Sequence, residues 1–171
     1  MRWLIDGYNV IRQDAGLRTR EAERLDAGRA ALLRVVAQVA QRLAGDDFTV
    51  VFDGARVRGE GPSPGRVRVV FSRPPETADD VLIRLARETG TGGVVVSSDR
   101  RVQDGARRAG CAAVGAVAFL DAADAPSGPA GGDAEDDDAE DDAGPRKGAA
   151  HRESRDARNT RRALDRLRGA R

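Results

Sequence analysis

Five aspartates and an asparagine stand where a folded chain can put them to chemical use. Asp6 and Asn9 follow a short apolar run, Asp53 follows a second, Asp79 and Asp80 open a helical pattern, and Asp99 lies just past Val94-Val95-Val96 and two serines. Carboxylates gathered from separated places in a chain hold a hard cation such as Mg2+ or Mn2+, which takes oxygen ligands and keeps much of its water. Their mutual repulsion is relieved when the cation binds, and the ion lowers the pKa of a bound water and stabilises charge developing on a phosphate. The chemistry on offer is metal-assisted hydrolysis of a phosphodiester. Asp6, Asp79, Asp80 and Asp99 are the candidate catalytic residues, and Asp6, Asp53, Asp80 and Asp99 the candidate metal ligands. Asn9, Tyr8, Arg100 and Arg101 are candidate substrate contacts, the Tyr8 ring as a surface on which a base can stack. Each acid also has a plainer use: Asp99 as a helix N-cap, Asp79 and Asp80 opposite a helix dipole, Asp6 and Asp53 as caps of turns or helices. Asn9 suits a turn, and Tyr8 suits a packed loop.

The elements that must position these residues are legible in the apolar pattern. Trp3-Leu4-Ile5 predicts a buried strand, Ala27 to Leu43 a helix with Leu32, Val36, Val39 and Leu43 on its apolar face, and Phe48 to Phe52 a second strand. Gly61-Pro62-Ser63-Pro64-Gly65 predicts a turn, after which Val67 to Phe71 forms a third strand. Thr77 is placed to cap a helix running from Ala78 through Ala86. Gly93 to Val96 begins a fourth strand, Asp99 to Ala109 is a helix closed by Gly110, and Cys111 to Val117 is a short fifth strand. Strands alternating with helices predict an α/β domain whose mostly parallel sheet is covered on both faces, with ligands beyond the carboxyl ends of the strands. That rule sends Asp6, Asp53 and Asp99 to the ligand-binding edge. Gly90-Thr91-Gly92-Gly93 is a helix-ending turn rather than a phosphate loop, because no Gly-Lys-Ser/Thr follows and a strand comes next.

Composition removes several other chemistries. Cys111 is the only cysteine, which excludes an internal disulfide and a thiolate metal cluster. His151 is the only histidine and lies in a charged tail, so a histidine-pair ribonuclease, a Ser-His-Asp triad and a histidine zinc site all lack parts. No apolar run approaches the ~20 residues that span a bilayer, and an acid at position 6 comes too soon for a secretory leader, so the expectation is a cytoplasmic chain without a membrane partner. The 29 Lys+Arg and 28 Asp+Glu nearly cancel but are segregated along the 171 residues. Residues 1–124 suit one domain. Residues 125–145 form an acidic low-complexity linker, with Asp133 and the run from Glu135 to Asp142, too poor in apolar residues to support a core and expected to be disordered. Residues 146–171 carry ten basic against three acidic side chains, with Ala157, Leu164 and Leu167 on one stripe, and read as a solvated basic helix.

Ile5-Asp6-Gly7-Tyr8-Asn9-Val10-Ile11, Val50-Val51-Phe52-Asp53, Glu76-Thr77-Ala78-Asp79-Asp80 and Ser97-Ser98-Asp99, in this order, resemble the YacP-like branch of the NYN domains, relatives of the PIN nucleases, over roughly residues 2 to 120. The resemblance implies a PIN-like three-layer fold and an endoribonuclease that cleaves single-stranded RNA with Mg2+ or Mn2+. Asp6, Asp79 or Asp80, and Asp99 match the acids of that family's site, and Asn9 matches its polar partner. Many NYN nucleases carry a further acid shortly after the position of Asp99, where this chain has Arg100, Arg101 and Gln103, a departure that suits a single metal ion. The family includes a ribosome-associated mRNA endonuclease. The segment after Gln103 departs from that pattern, which leaves the ribosome an open partner beside RNA. Among rivals, an aspartyl phosphatase needs an acid where Tyr8 stands and a lysine that only the tail supplies, at Lys147. An RNA-binding adaptor without turnover and a DNA flap nuclease share the same acids, since carboxylates do not tell RNA from DNA.

Overall fold

Trp3 and Ile5 fall on one side of the first strand and Leu4 on the other, and the later strands repeat that alternation with apolar residues on both sides. Such strands are stable only between two layers of helices. In the computed structural model, which describes residues 1–54, 65–125 and 154–169, the strands are β1 (Arg2–Asp6), β2 (Asp47–Phe52), β3 (Val67–Phe71), β4 (Gly93–Val96) and β5 (Ala112–Val114). All pair in parallel, in the order β3-β2-β1-β4-β5. Helices α1 (Gly7–Gln13), α2 (Ala15–Glu23), α3 (Leu25–Arg42), α6 (Ala116–Asp124) and α7 (Arg155–Leu167) lie on the face of Trp3 and Ile5, and α4 (Ala78–Thr89) and α5 (Arg100–Arg108) on the face of Leu4. The chain steps from β1 outward to β2 and β3, then returns to the other side of β1 for β4 and β5. Ile5 therefore pairs with both Val50 and Val96, and the winding reverses at the carboxyl ends of β1 and β4, the switch point at which open α/β sheets form a ligand crevice.

The parallel α/β sheet, the helix capped by Thr77 and the long helix α3 agree with the sequence pattern. Other elements differ. The stretch after β1, read as a loop, is helix α1, because the Asp6 carboxylate caps it by accepting from the Asn9 N–H at 3.2 Å. The fifth strand ends at Val114 rather than Val117: Gly115 starts α6, and Val117 is half exposed on that helix. Helix α2 was illegible because it buries a single side chain, Leu17, and so has no apolar stripe. The turn at Gly61 to Pro64, the acidic run and His151 lie outside the described residues.

The basic helix is present over Arg155–Leu167, but it is not solvated on all sides. Ala163 and Leu167 are buried in the core, and the Thr160 hydroxyl donates to the Ala113 carbonyl at 3.0 Å beside β5. Burial of Leu167 alone contributes about 2 kcal/mol. Arg166 donates two hydrogen bonds to Asp46, at 2.8 and 2.6 Å, and Asp46 also accepts from the Met1 amino group at 2.6 Å and from Trp3 Nε1 at 3.0 Å. A carboxylate that is only 2 % exposed thus joins the start of β1, the turn before β2 and the last helix. Burial pushes the Asp46 carboxyl up, but Arg166, the Met1 amino group and Trp3 together outweigh it and hold the group at about 2. A depressed folded-state value means stability that is present above the ordinary carboxylate range and lost as pH falls through it. Asp46→Asn should cost about 3 kcal/mol at neutral pH in denaturant unfolding, and its deficit against the parent should shrink as pH falls from about 4 toward about 2. An unchanged midpoint at neutral pH contradicts this role.

Candidate active site

Burying a carboxylate is tolerable only when its oxygens are satisfied. Asp6, at the end of β1, is 7 % exposed, and both its oxygens are engaged: Oδ1 accepts from the Asn9 N–H and Oδ2 from the Ser97 hydroxyl at 2.9 Å. Ser97 follows β4, so this bond crosses the mouth of the switch crevice. The Asn9 side chain crosses it again, its Oδ1 accepting from the Ser98 N–H at 2.7 Å. Asn9 is thereby a positioning residue that clamps the two strand ends. The Ser97 Oγ accepts in turn from the Asp99 N–H at 3.1 Å, and Gln103 Nε2 donates to the Ser97 carbonyl at 2.7 Å. Gln103 thereby fastens the loop after β4 to α5.

Asp99 caps α5, its Oδ1 accepting from the N–H groups of Arg101 (2.8 Å) and Val102 (3.2 Å), while the residue stays exposed. The neighbouring pair at the start of α4 divides its duties. Asp80 Oδ2 accepts from the Thr77 N–H and hydroxyl in a capping box, and Oδ1 accepts from Arg101 Nη2 at 2.5 Å. Both its oxygens are taken up by structure, and these bonds hold its carboxyl below the usual range. Asp79 faces the other acids. Desolvation and then the charge of Asp99 push its carboxyl up, Arg101 at 3.6 Å opposes them, and Asp80 and Asp53 add smaller upward pushes. Asp6 is pushed up by burial first, against its two hydrogen bonds, with Asp79 and Asp99 adding to the rise. Asp6, Asp79 and Asp99 are thus one electrostatically coupled group at the carboxyl edge of the sheet. Asp53 follows β2 near Asp79, exposed, with its carboxylate accepting from the Ser72 hydroxyl.

The acids reach the same edge without closing into a cage. Among the described residues, no three His, Cys, Asp or Glu side chains are gathered closely enough to hold a metal ion. Like charges at this edge repel one another, and Arg101 pairs with Asp79 and Asp80. The donor set still fits Mg2+ or Mn2+: hard carboxylate oxygens, no competing nitrogen or sulfur, and a like-charge strain that a cation relieves. Arg101, expected to touch substrate, is occupied by the acids, whereas Arg100 is exposed and has no ion-pair partner among the described residues. Tyr8 is half buried on α1, its ring edge-on to Phe52 at 5.3 Å and its hydroxyl accepting from Arg29 Nε at 2.9 Å.

A model of the YacP-like NYN domain matches residues 3–162. The chain belongs to that family. NYN domains are nucleases of PIN-like fold, and the YacP-like match runs well beyond the fifth strand into α7. Over 86 residues the chain is 34% identical to the uncharacterized protein YacP of Bacillus subtilis (strain 168), covering 49% of this chain and 50% of that one. It thus spans about half the length of the curated relative it matches. The crystal structure of Rae1 (YacP) from Bacillus subtilis superposes with a TM-score of 0.62 at 26% identity, over 72% of this chain and 73% of that one. Its W164L mutant gives 0.60 at 28%, over 72% and 74%.

Ser97, Gln103 and Gly7 shape this part of the YacP-like chain, and none of them was a candidate site residue in the sequence. A Cβ on Gly7 would lie 2.2 Å from the Phe52 ring, so only glycine lets α1 start directly behind Asp6. Ser97 left one signal, a polar residue directly after a valine run, and its effect can be measured. Ser97→Ala removes a bond that holds the Asp6 carboxyl down against burial. The Asp6 titration, followed by carboxyl 13C NMR, should move upward, with about 1 kcal/mol lost from stability. An unmoved Asp6 titration contradicts the bond.

Proposed function

We propose that the protein is an endoribonuclease that hydrolyses single-stranded RNA in the cytoplasm with Mg2+ or Mn2+. The observation that carries this reading is the coupling of Asp6, Asp79 and Asp99 across the switch crevice of a nuclease-family fold. In this reading Asp6, Asp79 and Asp99 hold the ion. Bound there, Mg2+ or Mn2+ supplies positive charge to the phosphate and makes water a stronger nucleophile. Ser97 and the Asn9 backbone fix both oxygens of Asp6 so that its charge points the same way before and after substrate arrives, and the Asn9 side chain keeps the β4 loop at the β1 end. Arg100, exposed beside Asp99, pairs with a phosphate oxygen. Asp80 serves the cap of α4 and the tether to Arg101, so that Asp79 rather than Asp80 is the ligand contributed by α4. The ionic pairing of Arg101 with Asp79 and Asp80 favours one second reading, an RNA-binding adaptor in which the arginine stands where a cation is needed.

Labelled RNA incubated with Mg2+, Mn2+ or chelator separates the two. Cleavage should require the metal and leave 5′-phosphate and 3′-hydroxyl ends, because water and not the 2′-hydroxyl attacks. A 2′,3′-cyclic phosphate in the mass spectrum contradicts hydrolysis, and an absence of any cleavage supports the adaptor. Asp6→Asn, Asp79→Asn and Asp99→Asn should each lower the rate more than about 100-fold, beyond the loss usual for an outer-shell partner. Asparagine still caps α1 and α5, so folding should persist. Asp80→Asn should stay within about tenfold of the parent while lowering the unfolding midpoint through the weakened capping box, and Asp53→Asn should be mild in both.

A further inference from the structure

Helices α4 and α5 lie side by side on one face of the sheet and leave a groove of about 520 Å3 between their outer surfaces. Its floor is the contact of Ile83 with Gly105, so close that a Cβ on the glycine would sit 2.8 Å from Ile83 Cγ1. One end is the Asp80–Arg101 pair beside the acids, and the other is lined by Arg87 and Arg108. Seven residues of each helix separate the ends, which is about 10 Å of rise.

The charges along this groove are unevenly compensated. Arg101 is held by Asp79 and Asp80, and Arg84 by Glu76 at 2.9 Å and Glu88 at 3.3 Å. Arg108 donates only to the backbone carbonyl of Asp104, at 3.1 Å, and neither it nor Arg87 has a carboxylate partner among the described residues. Two exposed guanidinium groups at the far end of a groove that begins at the acids are arranged for an anion chain reaching out of the site. We propose that the α4–α5 groove is the track on which single-stranded RNA leaves the active site, with Arg87 and Arg108 binding a backbone phosphate about 10 Å from the acids. This rests on the reading of the site as a ribonuclease and adds where the strand runs.

Binding of the full chain to a fluorescent oligouridylate in chelator, where no cleavage intervenes, tests the track across a salt series. Arg87→Gln/Arg108→Gln should weaken binding about tenfold near physiological salt and reduce the slope of log Kd against log salt by about 0.7, the effect of one phosphate contact on a single strand. Arg18→Gln/Arg20→Gln, which removes two exposed charges from α2, should leave the slope as it is. Parental affinity and slope in the α4–α5 double variant, an equal loss in the α2 control, or no RNA binding by the parent overturns the proposal. If the groove variant behaves as expected yet the parent cleaves nothing with metal, the track stands and the nuclease reading falls.

Discussion

A carboxylate buried at the end of the central strand sets the terms for everything around it. Asp6 pays for its loss of water only through the Ser97 hydroxyl and the Asn9 N–H, and those two partners come from different elements. The first requires β4 to end beside β1, which the reversal of strand order provides. The second requires a helix to start at the very next residue, which Gly7 permits by leaving room for Phe52. Asp6 is therefore at once an N-cap, a cross-strand tie and the deepest of three interacting acids. Its two neighbours are held by caps of their own helices, so the spacing of the site is inherited from rigid elements and not from loops.

The sheet was readable because β2, β3 and β4 are short valine- and phenylalanine-rich runs and β1 is a Trp-Leu-Ile run, while β5, only Ala-Ala-Val, left its end unmarked; the edge at which ligands bind follows from the alternation alone. The same rule put Asp6, Asp53 and Asp99 at one edge. What could not be read is which member of Asp79-Asp80 turns inward. Sequence spacing cannot separate adjacent residues on a helix, whereas the capping box assigns Asp80 to Thr77 and so leaves Asp79 to the other acids. The docking of α7 was hidden for a related reason. Its stripe of Ala163 and Leu167 is narrow within an arginine-rich helix, and its main anchor, the pairing of Arg166 with Asp46, joins residues 120 apart in the chain. No local pattern reports such a pair.

Arg101 links the acids to the rest of the surface. It neutralises part of the charge of Asp79 and Asp80, which steadies the start of α4 but also competes for the group that a cation needs. Beyond it in the α4–α5 groove Arg84 is still paired with two carboxylates, whereas Arg87 and Arg108 at the far end have none among the described residues, so uncompensated positive charge lies at the end away from the acids. An anion approaching along that groove meets attraction first and the repelling acids last, and a divalent ion at the acids would reverse the sign of that final step.

The central claim is that Asp6, Asp79 and Asp99 form one cation site from which Asp80 is excluded. Mn2+ binding to the full chain, followed by the loss of the free-ion electron paramagnetic resonance signal, tests it without reliance on turnover. Binding should be weakened strongly by Asp6→Asn, Asp79→Asn or Asp99→Asn and largely kept by Asp80→Asn. Loss of Mn2+ binding in Asp80→Asn with retention in Asp79→Asn contradicts the account.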